Sequence, residues 1–130
     1  MISYLDTSAA MKLLVEEAES RALAAYLQPA DQDLELVASW LLHTELHCAA
    51  NRHPDDIDPA AVGVVLDTVT LVDLTRGDLL TAGALPGRLR SSDAAHLAVA
   101  LRIGADEMIT YDSELDAAAT LAGLAVAHPG

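Results

Sequence analysis

The sequence predicts an α/β protein with a central, mainly parallel sheet of about four to five strands covered by helices. Three observations predict it. Short apolar runs alternate with alanine-rich stretches of helical period along the whole chain. Capping residues open the helical stretches, and proline or glycine closes several of them. Acids also follow apolar strands directly, Asp6 after Met1-Ile2-Ser3-Tyr4-Leu5 and Asp112 after Met108-Ile109-Thr110-Tyr111. An open parallel sheet gathers such positions at its carboxyl edge.

In chain order, residues 2–6 read as a strand and residues 8–15 as a helix capped by Thr7 or Ser8, with a second helical stretch over 17–27. Pro29 and the polar residues after it make a loop. Residues 34–38 form a second strand, and residues 39–52 a helix that His53-Pro54 ends, because the residue before proline avoids helical geometry. Asp58-Pro59 opens a helix running to about Thr68, and residues 70–74 form a third strand. A helical segment after Arg76 continues toward Leu85 until Pro86-Gly87 breaks it. Ser91 or Ser92 caps a helix to Arg102, and Gly104 ends it. Residues 107–110 make a fourth strand, residues 113–122 a last helix stopped by Gly123, and residues 124–127 a short final strand.

One hundred and thirty residues, 52% of them apolar, suit a single domain over residues 1–130 with one core. No apolar run approaches the roughly 20 residues of a membrane span, and no basic, apolar and cleavable leader is present. A soluble, unexported, cytoplasmic protein is expected. Cys48 has no disulfide partner and lies in a helical apolar pattern, so a packing role in a reducing compartment is expected. Twenty acids against seven lysines and arginines give a net charge of −13. Phosphate backbones reward the opposite sign. A nucleic-acid substrate therefore needs bound cations and the few basic side chains, whereas a basic protein partner fits the acidity directly.

Four carboxylates, Asp6, Glu45, Asp93 and Asp112, carry the functional argument. Glu45 sits three or four residues from Leu41, Leu42, Cys48 and Ala49, on the stripe of its helix that faces the core. Burying an ion costs several kcal/mol unless a cation or hydrogen bonds compensate, so Glu45 must reach a metal or a basic group; Arg52 and His43 are the plain alternatives. Asp93 at a helix start is also favoured by the helix dipole, Asp112 is placed to cap the last helix, and Asp6 to begin a turn. Taken together, three strand-to-helix junctions and one core-facing helical acid point into one crevice. Clustered carboxylates raise one another's pKa values unless a divalent ion neutralises them. Oxygen-only ligands select magnesium or manganese over zinc.

With these residues in view, the chain resembles PIN-domain ribonucleases and, more narrowly, VapC toxins of bacterial type II toxin-antitoxin systems. Asp6-Thr7-Ser8-Ala9, Glu45, Asp93-Ala94-Ala95-His96-Leu97-Ala98 and Thr110-Tyr111-Asp112 stand in that family's order and spacing. The resemblance implies a PIN-like three-layer α/β/α sandwich and Mg2+- or Mn2+-dependent endonucleolytic cleavage of tRNA or rRNA. It also implies inhibition by a VapB-type antitoxin, with a toxin homodimer in the complex. Asp6 and Asp93 are then the principal ligands; Glu45 and Asp112 complete the shell, and Glu45 can orient the attacking water. Ser8 and Thr110 match the family's supporting hydroxyls. Glu114 and Asp116 lie close enough to share the task of Asp112.

Other residues admit two readings. His96 is expected to be a packed, hydrogen-bonded core histidine rather than a catalytic one. Arg88 and Arg90 either grip RNA or antitoxin or form surface salt bridges. Lys12 either faces the site or pairs with Glu16. Trp40 and Leu41 belong to a core or a partner groove. Met11, Leu14, Val15, Leu23, Tyr26 and Leu27 exceed what two short helices need for packing, so part of the set is expected to line an antitoxin groove. A catalytically silent PIN-like binding module is the alternative function. A phosphatase-like chemistry lacks its second aspartate, because Ser8 stands two residues after Asp6, and the paired acids that a receiver carries before its nucleophilic strand are absent.

Overall fold

Apolar alternation and capping chemistry produce twelve elements in the computed structural model, which describes residues 1–28 and 34–130. They run β1 (Ile2–Leu5), α1 (Thr7–Met11), α2 (Ser20–Tyr26), β2 (Glu35–Ser39), α3 (Trp40–Arg52), α4 (Pro59–Asp67), β3 (Thr70–Val72), α5 (Arg76–Ala84), α6 (Ser91–Arg102), β4 (Glu107–Ile109), α7 (Ser113–Leu121) and β5 (Ala125–Ala127). The loop expected at Pro29 lies outside the described residues.

The five strands lie in the order β3-β2-β1-β4-β5, every neighbouring pair parallel. The chain thus builds outward from β1 on one side, then crosses to β4 on the other. Crossovers between parallel strands are almost always right-handed, so a reversal of this kind places helices on both faces of a sheet. Helix α3 packs on α1 and α4, whereas α6 packs on α5 and α7, completing the three-layer α/β/α sandwich. Tyr4 and Leu5 of β1, Met108 and Ile109 of β4, Leu42 and Leu46 of α3, Leu97 of α6 and Leu115 of α7 are fully buried between the layers. Each contributes about 1.5–3 kcal/mol of burial. Gly104 and Gly123 take positive φ just beyond α6 and α7, as the expected helix stops require.

Several local expectations are corrected. Helix α1 ends at Met11 rather than Val15, because Leu13 and Leu14 donate to carbonyls three residues back and tighten the chain out of α geometry. Its cap is Asp6, which accepts the Ser8 N–H, rather than Thr7 or Ser8. Helix α2 begins at Ser20, not near Glu17, since the Ser20 hydroxyl accepts the Glu17 N–H and draws that turn into a separate loop. Neither Ser91 nor Ser92 caps α6. The extended residue there is Arg90, so Ser91 is already helical. Cys48 is exposed rather than packed. Among the described residues no helix is long and apolar enough to cross a membrane.

Candidate functional site

The topological reversal falls between β1 and β4, where an open parallel sheet forms a crevice beyond its strand ends. Asp6 follows β1 and ties that end to β4, its N–H bonding the Ile109 carbonyl at 3.1 Å. Asp112 follows β4 and caps α7, accepting the Leu115 N–H at 2.9 Å. Asp93 stands in the first turn of α6. Glu45 comes from α3, which starts at the end of β2. The four acids therefore arrive from four elements that begin or end at one rim.

Asp6 is only 1% exposed. Its Oδ2 accepts the Ser8 hydroxyl at 2.7 Å, the Ser8 N–H at 3.2 Å and the Thr110 hydroxyl at 2.9 Å. Those hydroxyls also receive the N–H groups of Tyr111 and Asp112, at 3.0 and 3.1 Å. Ser8 and Thr110 thus lock Asp6 to the β4 end. Asp6 Oδ1, by contrast, is buried with no partner. Leaving a buried acceptor unsatisfied costs about 1–3 kcal/mol.

Asp93 reports the convergence electrostatically. Burial, then the charges of Asp6 and Asp112, and to a smaller extent Glu45, push its pKa up to about 6 against the opposing influence of His96. Glu45 behaves differently: burial pushes it upward, but the hydrogen bonds from His96 and Thr7 outweigh that and hold it below the usual range. Its partner is His96, at 2.5 Å, rather than Arg52 or His43. Arg52 shares with Glu45 an open cleft also lined by Thr7, Met11, Cys48 and His53.

Among the described residues no three His, Cys, Asp or Glu side chains form a ready-made cation cage. The donors still fit a hard divalent ion, which keeps several waters and needs few direct protein oxygens. The orphaned Asp6 Oδ1 and the mutual repulsion felt by Asp93 are the features such an ion would relieve.

Comparison with known proteins agrees with this architecture. The PIN domain family model matches residues 3–121. This chain belongs to the PIN domain family. Ribonuclease VapC46 of Mycobacterium tuberculosis is 38% identical over 132 residues, covering 97% of this chain and 96% of that protein. Ribonuclease VapC47 of the same species is 32% identical over 131 residues, covering 98% and 96%. The fold also matches VapBC2 from Rickettsia felis bound to a DNA fragment from its promoter, with a TM-score of 0.79 at 12% identity over 100% of both chains. It likewise matches the Sarcin-Ricin loop cleaving toxin VapC20 of M. tuberculosis, with a TM-score of 0.71 at 17% identity over 89% of this chain and 94% of that one.

The remaining predicted residues of this PIN domain divide clearly. Lys12 pairs with Glu19 at 3.0 Å and Glu17 at 3.6 Å, not with Glu16, and lies 4.8 Å over the Tyr111 ring. It braces the start of α2 against the wall of the crevice. Arg88 and Arg90 are exposed and, among the described residues, form none of the expected surface salt bridges. Asp116 and Asp112 line one cleft of about 260 Å³ with Tyr111 and His128, while Glu114 is exposed and lines a separate hollow with Arg88. Trp40 is 48% exposed and stacks obliquely on His43, so it is not a core residue. Leu23 is fully buried and cannot line a groove, and the Tyr26 hydroxyl is bound to Glu107. The apolar groove instead uses Leu27 with Leu13, Leu36, Val64 and Val65, enclosing about 420 Å³.

Two residues escaped the sequence reading: Thr7, whose hydroxyl reaches Glu45 at 2.9 Å, and Tyr4, whose hydroxyl meets His96 at 2.6 Å. A tyrosine inside an apolar strand needs a hydrogen-bond partner, and that was the available signal. His96 is buried and hydrogen-bonded as expected.

Proposed function

We propose that this PIN domain, spanning residues 1–130, is the toxin of a type II toxin-antitoxin pair and a Mg2+- or Mn2+-dependent endoribonuclease. The observation that carries this reading is the unsatisfied Asp6 Oδ1 beside an Asp93 whose pKa the other acids raise to about 6. Relatives named ribonuclease, 38% identical over nearly the full chain, support the reaction class.

Asp6 and Asp93 would hold the cation, with Asp112 and Glu45 completing the shell directly or through water. Bound there, the ion supplies charge to neutralise the scissile phosphate and lowers the pKa of an attacking water. The protein's own groups then act in defined ways. Ser8 and Thr110 hold Asp6 Oδ2 and leave Oδ1 for the ion. Asp112 is kept in place by its cap to Leu115. Glu45 orients the attacking water and accepts its proton. Arg88 and Arg90, unpaired with any acid among the described residues, are the basic groups available to an RNA strand or an antitoxin on an otherwise acidic surface.

The solved VapBC2 assembly supports a VapB-type antitoxin as partner; a toxin homodimer within that complex, in the cytoplasm, completes the reading. The groove around Leu27 and Val64 is its candidate seat. A tRNA or rRNA target is the substrate class we infer, in keeping with the name of the VapC20 toxin.

The test is cleavage of total cellular RNA by antitoxin-free protein with magnesium, manganese or chelator, beside folded Asp6→Asn and Asp93→Asn proteins. Cation-dependent cleavage abolished by both substitutions is the expected result. An identical RNA pattern for wild type and variants would overturn the nuclease and favour a silent PIN-like binding module.

A further inference from the structure

His96 is fully buried, yet both of its ring nitrogens are engaged. Nδ1 lies 2.6 Å from the Tyr4 hydroxyl, and Nε2 lies 2.5 Å from Glu45 Oε1. The Tyr4 oxygen already accepts the Ser39 backbone N–H at 3.0 Å. Its own hydrogen is therefore free to go to Nδ1, and the ring proton resides on Nε2, from which it is donated to Glu45. The tautomer follows from this order of donors. Thr7 adds a second donor to the same Glu45 oxygen at 2.9 Å. Both bonds fall on Oε1; among the described residues none falls on Oε2.

The chain of bonds has a direction. It starts at a rigid backbone group at the end of β2, passes through a side chain of β1 and a side chain of α6, and ends on an acid of α3. A glutamate has three side-chain torsions, and one directed donor with a second from Thr7 removes much of that freedom before any ligand arrives. Positioning of this kind orients carboxylates and histidines around metal sites generally.

We propose that His96 is a positioning residue. Anchored to the sheet through Tyr4, it holds Glu45 Oε1 so that Oε2 is presented to the cation of the Asp6–Asp93 crevice or to that cation's waters. The inference rests on the metal-dependent reading above, and it assigns His96 a role that packing alone does not supply.

The test compares His96→Leu, which keeps bulk but loses the donor, with His96→Gln, whose amide nitrogen can replace Nε2. Mn2+ binding to cation-free protein, read from the electron paramagnetic resonance of free Mn2+, is measured for wild type, both variants and Asp6→Asn. RNA cleavage is measured in parallel, in wild-type and Glu45→Gln backgrounds, and thermal unfolding establishes that each protein is folded. The expected result is Mn2+ binding weakened about 10-fold and kcat lowered about 10- to 100-fold in His96→Leu, with KM for RNA unchanged and His96→Gln restoring most of both. In the Glu45→Gln background His96→Leu should add nothing. Wild-type Mn2+ affinity in His96→Leu, equal loss in both variants, or a full additional loss in the Glu45→Gln background would each overturn the proposal. Wild-type Mn2+ affinity in Asp6→Asn would instead overturn the metal site itself. If His96→Leu does not fold, Tyr4→Phe, which removes the donor to Nδ1 and frees the tautomer, takes its place, with wild-type Mn2+ affinity and kcat as the contrary result.

Discussion

Asp6, just after β1, and Glu107, which opens the neighbouring parallel strand β4, are both buried carboxylates, but they sit at opposite ends of the sheet and are treated in opposite ways. At the amino edge, Glu107 Oε2 accepts the Ser3 hydroxyl at 2.7 Å and Oε1 accepts the Tyr26 hydroxyl at 2.7 Å. Both acceptors are met within the protein, and α2 is tied to the sheet. At the carboxyl edge, three donors crowd onto Asp6 Oδ2 while Oδ1 has none, and Asp6, Asp112 and Glu45 press in around Asp93. A structural carboxylate uses its capacity internally. The rim acids retain unsatisfied capacity, a local cost that natural proteins tolerate at functional sites.

That contrast can be broken in either direction. The largest effect expected is on activity: Asp6→Asn should lower cation-dependent RNA cleavage by about 100-fold or more while the protein stays folded, whereas Glu107→Leu should leave cleavage unchanged. Gel-resolved cleavage rates check both, and a Glu107→Leu protein that folds but no longer cleaves would erase the distinction between the two edges.

Stability should show the reverse pattern. Glu107→Leu leaves the buried Ser3 hydroxyl without its acceptor and should cost about 1–3 kcal/mol in urea unfolding. Asp93→Asn should stabilise the cation-free protein. Folded Asp93 keeps its proton up to about pH 6, against an ordinary carboxyl value of 3.8. The folded state therefore binds more protons than the unfolded one between those values, and stability falls as pH rises across that window. Removing the charge should recover about 1–2 kcal/mol at pH 7.5, after allowance for solvent screening, and nothing at pH 3.5. Equal effects at the two pH values would show that repulsion at the rim is not the cause. The smallest effect belongs to Tyr26→Phe, about 0.5–1 kcal/mol, because Ser3 still donates to Glu107 Oε2 and the tyrosine is exposed enough for water to replace its bond to Oε1; cleavage should not change.

Legibility in the sequence followed the range of the forces involved. Pro59 after Asp58, the stops at Gly104 and Gly123, and the cap at Asp112 were readable because each acts within one turn of backbone. The apolar pattern of Leu13, Leu14 and Val15 continues past the end of α1, where a local, tighter set of hydrogen bonds cuts the helix short. Cys48 has the pattern of a core residue but lies on the exposed side of α3, since periodicity gives the phase of an apolar stripe less sharply than its existence. The four acids were legible individually from their positions relative to strands and helix starts. Their unequal states are not, because Thr110 reaches Asp6 and His96 reaches Glu45 across separations of 104 and 51 residues, and a motif places residues in order without showing which of them meet.

By itself the sequence determined the alternation of strands and helices, the family, and the carboxylates available to a rim, since these follow from local periodicity, backbone sterics and side-chain type. Tertiary structure alone decided the placement of β1 between β2 and β4, the oxygen of Asp6 that remains unsatisfied, and the pairing of Glu45 with His96 rather than with Arg52 or His43. Those outcomes depend on distances between segments remote in the chain. A hydrogen bond forms or fails over a few tenths of an ångström, and that margin is set by how the layers pack.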